Sequence, residues 1–175
     1  MTGPAVSIRV ARLSDASAMI GLHRSILEED RYFITSADEF ADSVERRQML
    51  IRNLLQQHNS HALVAIRDRL LVGMLYLRGG TLHRMRHVSK LEIFVDRNVR
   101  GQGVGRALMM AGLQWATDSP LVRKVGLTVF TDNTRAIGLY RSLGFEVEGE
   151  RIGEYCEEDG TLRSDLMMYR WCEPG

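Results

Sequence analysis

Residues 101–105 read Gly-Gln-Gly-Val-Gly, and the segments on either side of them are opposite in character. Upstream, "KLEIFV" (90–95) has the β-branched and aromatic content of a strand. Downstream, Val104, Ala107, Leu108, Ala111 and Trp115 fall on one helical face. A chain that passes from strand to helix through alternate glycines can turn sharply and gather successive N–H groups into one concavity. The first turn of the helix adds unpaired N–H groups and the positive end of its dipole, so the natural guest is a pyrophosphate. Arg100 and Arg106 flank the loop and add fork-shaped charge. One glycine would serve a tight turn; three in alternation exceed that need.

Spacing separates the possible guests. A P-loop requires Lys and then Ser or Thr after its last glycine, but Arg106 and Ala107 stand there, leaving magnesium without a hydroxyl ligand. A dinucleotide turn requires an acidic residue at the end of the next strand, about 20 residues on. Here that strand ends only near Thr131 and Asp132.

The 175 residues suit a single domain spanning 1–175 with its core in 6–172. The 23 basic and 22 acidic residues leave a net charge of +1, so no global field holds nucleic acid or an acidic membrane, and any anion must be caught locally. No run of about 18 apolar residues occurs and the N-terminus lacks a signal-like core, so a cytoplasmic protein is expected. Cys156 and Cys172 form no CxxC pair and read as reduced thiols. His58 with His61, and His83 with His87, have metal-like spacings, yet neither pair has a Cys or carboxylate partner, so no metal is expected.

In outline, "VSIRVAR" opens as a strand and Ser14-Asp15 caps a helix through Ala18, Ile20, Leu22 and Leu27. A second helix is predicted over 38–57 from Phe40, Val44, Met49, Leu50, Leu54 and Leu55. Two strands follow around Arg67-Asp68-Arg69, and then a basic loop, "RGGTLHRMRH" (78–87). After the glycine-rich turn and its helix come "KVGLTVF", a short helix stopped by Gly144, "FEVEGE" and "DLMMYRW". Met109-Met110 and Met167-Met168 read as core fillers. The fold class is α/β (α+β), with a mixed, mostly antiparallel twisted sheet of six or seven strands flanked by helices.

A second segment makes the glycine signal specific. Asn133 precedes a short helix on which Ala136 and Tyr140 share a face, and Gly144-Phe145 starts the next strand. Taken alone, these residues fit a capping Asn and a core Tyr equally well. Together with Arg100, Gly103 and Gly105 in a Q/R-x-x-G-x-G/A pattern after "IFV", the chain resembles the GNAT superfamily of acyl-CoA-dependent N-acyltransferases. The stretch "LTVFTDNTRAIGLYRSLGFEVEG", Asp159-Gly160 and "DLMMYR" are most similar to bacterial L-amino-acid N-acetyltransferases.

The resemblance implies acetyl-CoA as co-substrate and a small amine such as a free amino acid as acceptor. A protein N-terminus, polyamine or aminoglycoside, or a non-catalytic CoA sensor, are the alternatives, and a homodimer is expected by analogy. It implies that Ile93, Phe94 and Val95 meet the pantetheine arm. The pyrophosphate would lie on Arg100, Gly101, Gln102, Gly103, Val104, Gly105 and Arg106, and Asn133, Ala136 and Tyr140 would complete the coenzyme site. A backbone N–H near Val95 would face the oxyanion, and Tyr140 would protonate the leaving thiolate.

Two residues compete as base: Glu92, if strand alternation turns it toward the reaction, and His87, whose ordinary pKa of about 6.5 suits the task. The acceptor cleft is expected from "GGTLHRMRHVS" (79–89) and residues 28–42. Arg84 or Arg86 would pair with a carboxylate there, or Glu28, Glu29 and Asp30 with a cationic amine.

Overall fold

Neighbouring apolar runs can pair through short connections, and three of the four strands in the first half of the sheet are joined that way, the first being set apart from them by two helices. The computed structural model describes residues 6–29 and 31–172. β1 (Ser7–Val10) pairs with β2 (His61–Arg67), β2 with β3 (Leu70–Gly79), and β3 with β4 (Val88–Val95), all antiparallel. The β2–β3 turn holds Asp68 and Arg69 at φ 49° and 66°, the two left-handed residues that a tight hairpin requires.

β5 (Lys124–Phe130) lies parallel to β4, which demands a crossover, and α3 (Val104–Asp118) supplies it. Beyond α4 (Thr134–Ser142) the chain turns at Gly144, φ 83°, into β6 (Glu146–Cys156) and then β7 (Leu162–Trp171). β7 inserts between β5 and β6, giving the order β1-β2-β3-β4-β5-β7-β6. The mixed, mostly antiparallel sheet read from the sequence is therefore present, with seven strands.

α1 (Ala16–Leu27) and α2 (Val44–Gln56) cover one face of β2–β4, where Met19, Ile26, Ile51, Val64, Met74, Tyr76 and Phe94 make one core. The opposite face carries α3, with Leu75, Leu77, Leu108, Met109, Leu113 and Val125 buried beneath it. No helix among the described residues is long and apolar enough to cross a membrane. Both cysteines are free.

Several sequence expectations shift here. The buried stripe of α1 is Ala16, Met19, Leu22, Ile26 and Leu27, leaving Ala18 exposed. α2 begins at Val44 rather than 38, because Ser43 accepts the Arg46 N–H in a side-chain cap and the chain before it makes a turn at 37–39 and then runs irregularly. Its buried face is Arg47, Ile51 and Leu54, whereas Met49 and Leu55 are exposed. A charged residue in the buried stripe masked the true helical face. Of the methionine pairs, Met109 and Met168 fill the core, and Met110 is exposed.

One interruption matters most. β4 and β5 pair only at Val88–Lys124, Ser89–Val125 and Lys90–Gly126, after which they part.

Candidate active site

Backbone alternation fixes what the parted strands present to each other. Gly80 N–H bonds the Val88 carbonyl and Asp96 N–H bonds the Val72 carbonyl, so even-numbered residues of β4 direct their polar groups to β3. The His87 carbonyl accepts from Arg123 and Lys124, so odd-numbered residues direct theirs to β5. Beyond the last paired rung, Lys90–Gly126, the N–H groups of Ile93 and Val95 therefore point into the gap. Thr131 N–H bonds Ser164 on the β7 side, which leaves Thr128 aimed at the gap from β5. Polar backbone groups without strand partners are the requirement for an amide-bearing guest.

The gap opens into a cleft of about 1100 Å³ whose walls include Ile93, Phe94, Val95, Gly101, Gly103, Gly105, Arg106, Asn133, Ala136 and Tyr140. Gly101 and Gly103 adopt φ 78° and 84°, left-handed values that only glycine takes without strain. A β-carbon on Gly105 would make only ordinary 3.7 Å contacts with Leu139 and Val95, so its absence widens the cleft. With the N-terminus of α3 beside them, these glycines suit a pyrophosphate. Arg106 is tied to Ser142 at 2.7 Å, and Arg135 lies so close to Gly101 that a β-carbon there would come within 2.9 Å of its Nη2. Arg135 lines the cleft and was missed from sequence; its position in the turn after "TDNT" is the signal that could have found it.

Other predicted residues have different duties. The Arg100 guanidinium forks onto Glu29 at 2.6 and 2.7 Å, and its Nε holds the Val95 carbonyl at 2.9 Å. Its side chain thus braces the loop and is not free for phosphate. Gln102 turns away to Arg67 and the Asn98 carbonyl, and Val104 is buried in the core. Neither side chain lines the cleft. Asn133 caps α4 by accepting the Ala136 N–H at 3.2 Å.

Tyr140 is buried on α4, and burial pushes its pKa up to about 12 with no charge or hydrogen bond contributing. Glu92 lies opposite Tyr76 and shares the α1/α2 face with Phe94, so alternation does turn it toward the cleft. It is exposed and paired with Arg78 at 2.9 Å.

His87 is a correction. It precedes β4 at the end remote from the gap, about 20 Å of extended strand from Ile93, and does not line the cleft. The basic loop shares that remote end, so Arg84 and Arg86 lie outside the cleft as well. The cleft wall facing β4 is built instead from α1, residues 29 and 31–35, β6 and β7: His23, Glu29, Tyr32, Phe33, Tyr155 and Asp165 line it. Asp30 lies outside the described residues. Arg151 pairs with Asp165, and the Tyr155 hydroxyl donates to the same carboxylate at 2.9 Å. Arg163 donates to the Arg31 carbonyl and stacks 3.9 Å from the Phe130 ring, fastening the 31–35 segment over the cleft. Among the described residues, no three His, Cys, Asp or Glu side chains gather as a metal site.

A sheet split at its single parallel pair, with a glycine-lined anion nest at the mouth of the split, defines an acyl-CoA-dependent transferase scaffold. The model of the Acetyltransferase (GNAT) family matches residues 24–145, and the chain belongs to that family. The L-amino acid N-acetyltransferase AaaT of Escherichia coli is 37% identical over 101 residues, covering 54% of this chain. The match spans 62% of that relative's length. A GNAT-family acetyltransferase from Streptococcus pneumoniae superposes with a TM-score of 0.91 at 24% identity, covering 95% of this chain and 99% of the other. The phosphinothricin acetyltransferase of Sinorhizobium meliloti, solved in complex with acetyl-CoA, gives 0.85 at 20% identity over 100% and 91%.

Proposed function

We propose that the protein transfers the acetyl group of acetyl-CoA to a primary amine, with a free amino acid as the favoured acceptor. The observation that carries this reading is the gap between β4 and β5, edged by unpaired N–H groups of Ile93 and Val95 and leading to a phosphate-sized nest. The likeness to an L-amino acid N-acetyltransferase supports the choice of acceptor.

Acetyl-CoA supplies an activated thioester. Ile93 and Val95 offer backbone N–H groups to the pantetheine arm and to the oxyanion, with the Val95 carbonyl already held by Arg100. The glycine loop takes the pyrophosphate, with Arg106 and Arg135 beside it. Glu92 receives the amine's proton, directly or through water, from the acceptor side.

Tyr140 stays protonated throughout the physiological range and donates a hydrogen bond to the sulfur as the C–S bond breaks. A phenol at about 12 is a weaker acid than an ordinary thiol near 8.5, so the bond stabilises the departing thiolate more than it transfers a full proton. The same burial raises the thiol's own pKa and narrows that difference.

The test is release of free thiol from acetyl-CoA across amino acids, polyamines, aminoglycosides and N-terminal peptides. Turnover with any class establishes acetyl transfer, and amino acids turned over ahead of the other classes establish the acceptor. CoA binding in calorimetry without any turnover would leave a coenzyme sensor, and no CoA binding would end both. The reading brings with it a cytoplasmic location, consistent with two free thiols.

A further inference from the structure

We propose that His23 is a hydrogen-bond donor to the amine substrate: its Nε2–H receives an oxygen carried by that substrate, a carboxylate or an amide carbonyl, in the acceptor half of the cleft. The inference rests on the acetyl-transfer reading and names the chemistry that the acceptor must bear.

The proton's position follows from the partner. His23 Nδ1 lies 3.1 Å from Nη2 of Arg47. A guanidinium has only donors, so Nδ1 must offer its lone pair and the ring proton must sit on Nε2. Arg47 cannot turn away. It is buried, paired with Asp42 at 2.6 Å, and donates to the Tyr76 hydroxyl at 2.6 Å.

The two ring nitrogens face opposite sides of the imidazole. With Nδ1 turned inward to Arg47, Nε2 is directed outward, and the ring lines the cleft. Phe40 and Phe94 pack edge-on at 4.6 and 4.5 Å and fix its plane. Phe94 sits between Ile93 and Val95, so the imidazole is one side chain away from the strand edge where the thioester would lie.

A second proton on the ring would set two donors face to face beside a fixed cation. Burial and the neighbouring Arg47 accordingly hold its pKa down, at about 4. His23 is therefore a permanent donor at neutral pH and does not collect the amine's proton. A donor on this side of the amine site suits an amino acid, whose carboxylate is attached to the carbon that bears the amine. A polyamine has no oxygen to offer it.

The experiment compares kcat/KM for a good L-amino acid, its carboxamide and its decarboxylated amine, in wild type, His23→Phe and His23→Gln. Wild type should prefer the acid or the carboxamide to the decarboxylated amine. His23→Phe should reduce that preference about 10- to 100-fold, mainly through KM, as expected for losing a bond to a charged acceptor. His23→Gln keeps an N–H donor and should restore part of it. A carboxamide that follows the acid shows that a carbonyl oxygen suffices, and one that follows the amine shows that negative charge is required; either supports the donor. CoA affinity, measured alongside, reports whether each variant is folded. The proposal is overturned if wild type shows no preference, which needs no variant, or if His23→Phe depresses all three substrates alike and His23→Gln does no better. A wild type inactive toward every amine would remove the acetyl-transfer reading and this inference with it.

Discussion

The two halves of the cleft are made of different material. The glycine-lined half, proposed for the coenzyme, is mostly main chain: strand-edge N–H groups, glycines at positive φ and a helix N-terminus, all from residues 91–106 and 133–140. The opposite half, proposed for the acceptor, is side chain, and its charges are already engaged: Glu29 with Arg100, Glu92 with Arg78, Asp165 with Arg151, and Asp42 with the Arg47 beneath His23. A backbone site recognises a guest common to a family, because almost any sequence can supply amides. A site of interlocked side chains recognises one guest, because each group is held at a set position by another.

That contrast can be broken most forcefully at Arg47. Arg47→Ala strips partners from Asp42, Tyr76 and His23 in a buried setting and should cost about 3–5 kcal/mol of stability in urea unfolding. An unchanged midpoint would show that the acceptor half is not braced as described. Next, Tyr140→Phe should lower kcat about 100-fold with CoA affinity nearly unchanged. Equal losses in both would make the residue a binding group. Gly103→Ala forces a left-handed alanine, a strain of about 1–2 kcal/mol, and should weaken CoA roughly tenfold while leaving discrimination among amines intact.

A smaller effect separates the halves by pH. His23 has a folded pKa of about 4 against an ordinary 6.5. The unfolded chain takes up its proton first, so stability conferred by the neutral ring is complete above pH 6.5 and drains away as pH falls toward 4. Because the ring is partly exposed, about 1 kcal/mol is expected rather than the full linkage value. His23→Gln should flatten that stretch of the stability curve. Smallest of all, His87→Ala should change kcat/KM less than about twofold, as is usual for a surface site away from the chemistry. A large loss would return that histidine to the list of bases.

The same contrast explains what the sequence made visible. The coenzyme half was legible because its residues are close in the chain and their spacing is dictated by backbone geometry: Gly101, Gly103 and Gly105 before a helix, Ala136 and Tyr140 four apart. The strand order β5-β7-β6 was not, since nothing local says that β7 inserts beside β5. Nor was the opposite half, which sets His23 of α1 against Tyr155 and Asp165 of the β6–β7 pair, more than 130 residues further along the chain. The basic loop at 78–87 misled because a cluster of cations looks like a site wherever it falls, and only the sheet's direction reveals that it lies at the far end of β4. Arg47 misled in the other direction. A charge in an apolar stripe reads as a break in the helix face, when its partners, Asp42, Tyr76 and His23, are what allow it to be buried.

The Arg100 fork gives the two halves a common hinge pin. The same guanidinium fastens the end of β4, through the Val95 carbonyl, to the end of α1, through Glu29, so neither can drift without tugging on the other. The width of the cleft at that end is thereby set by one side chain, and a residue too short to reach both anchors would let strand and helix part.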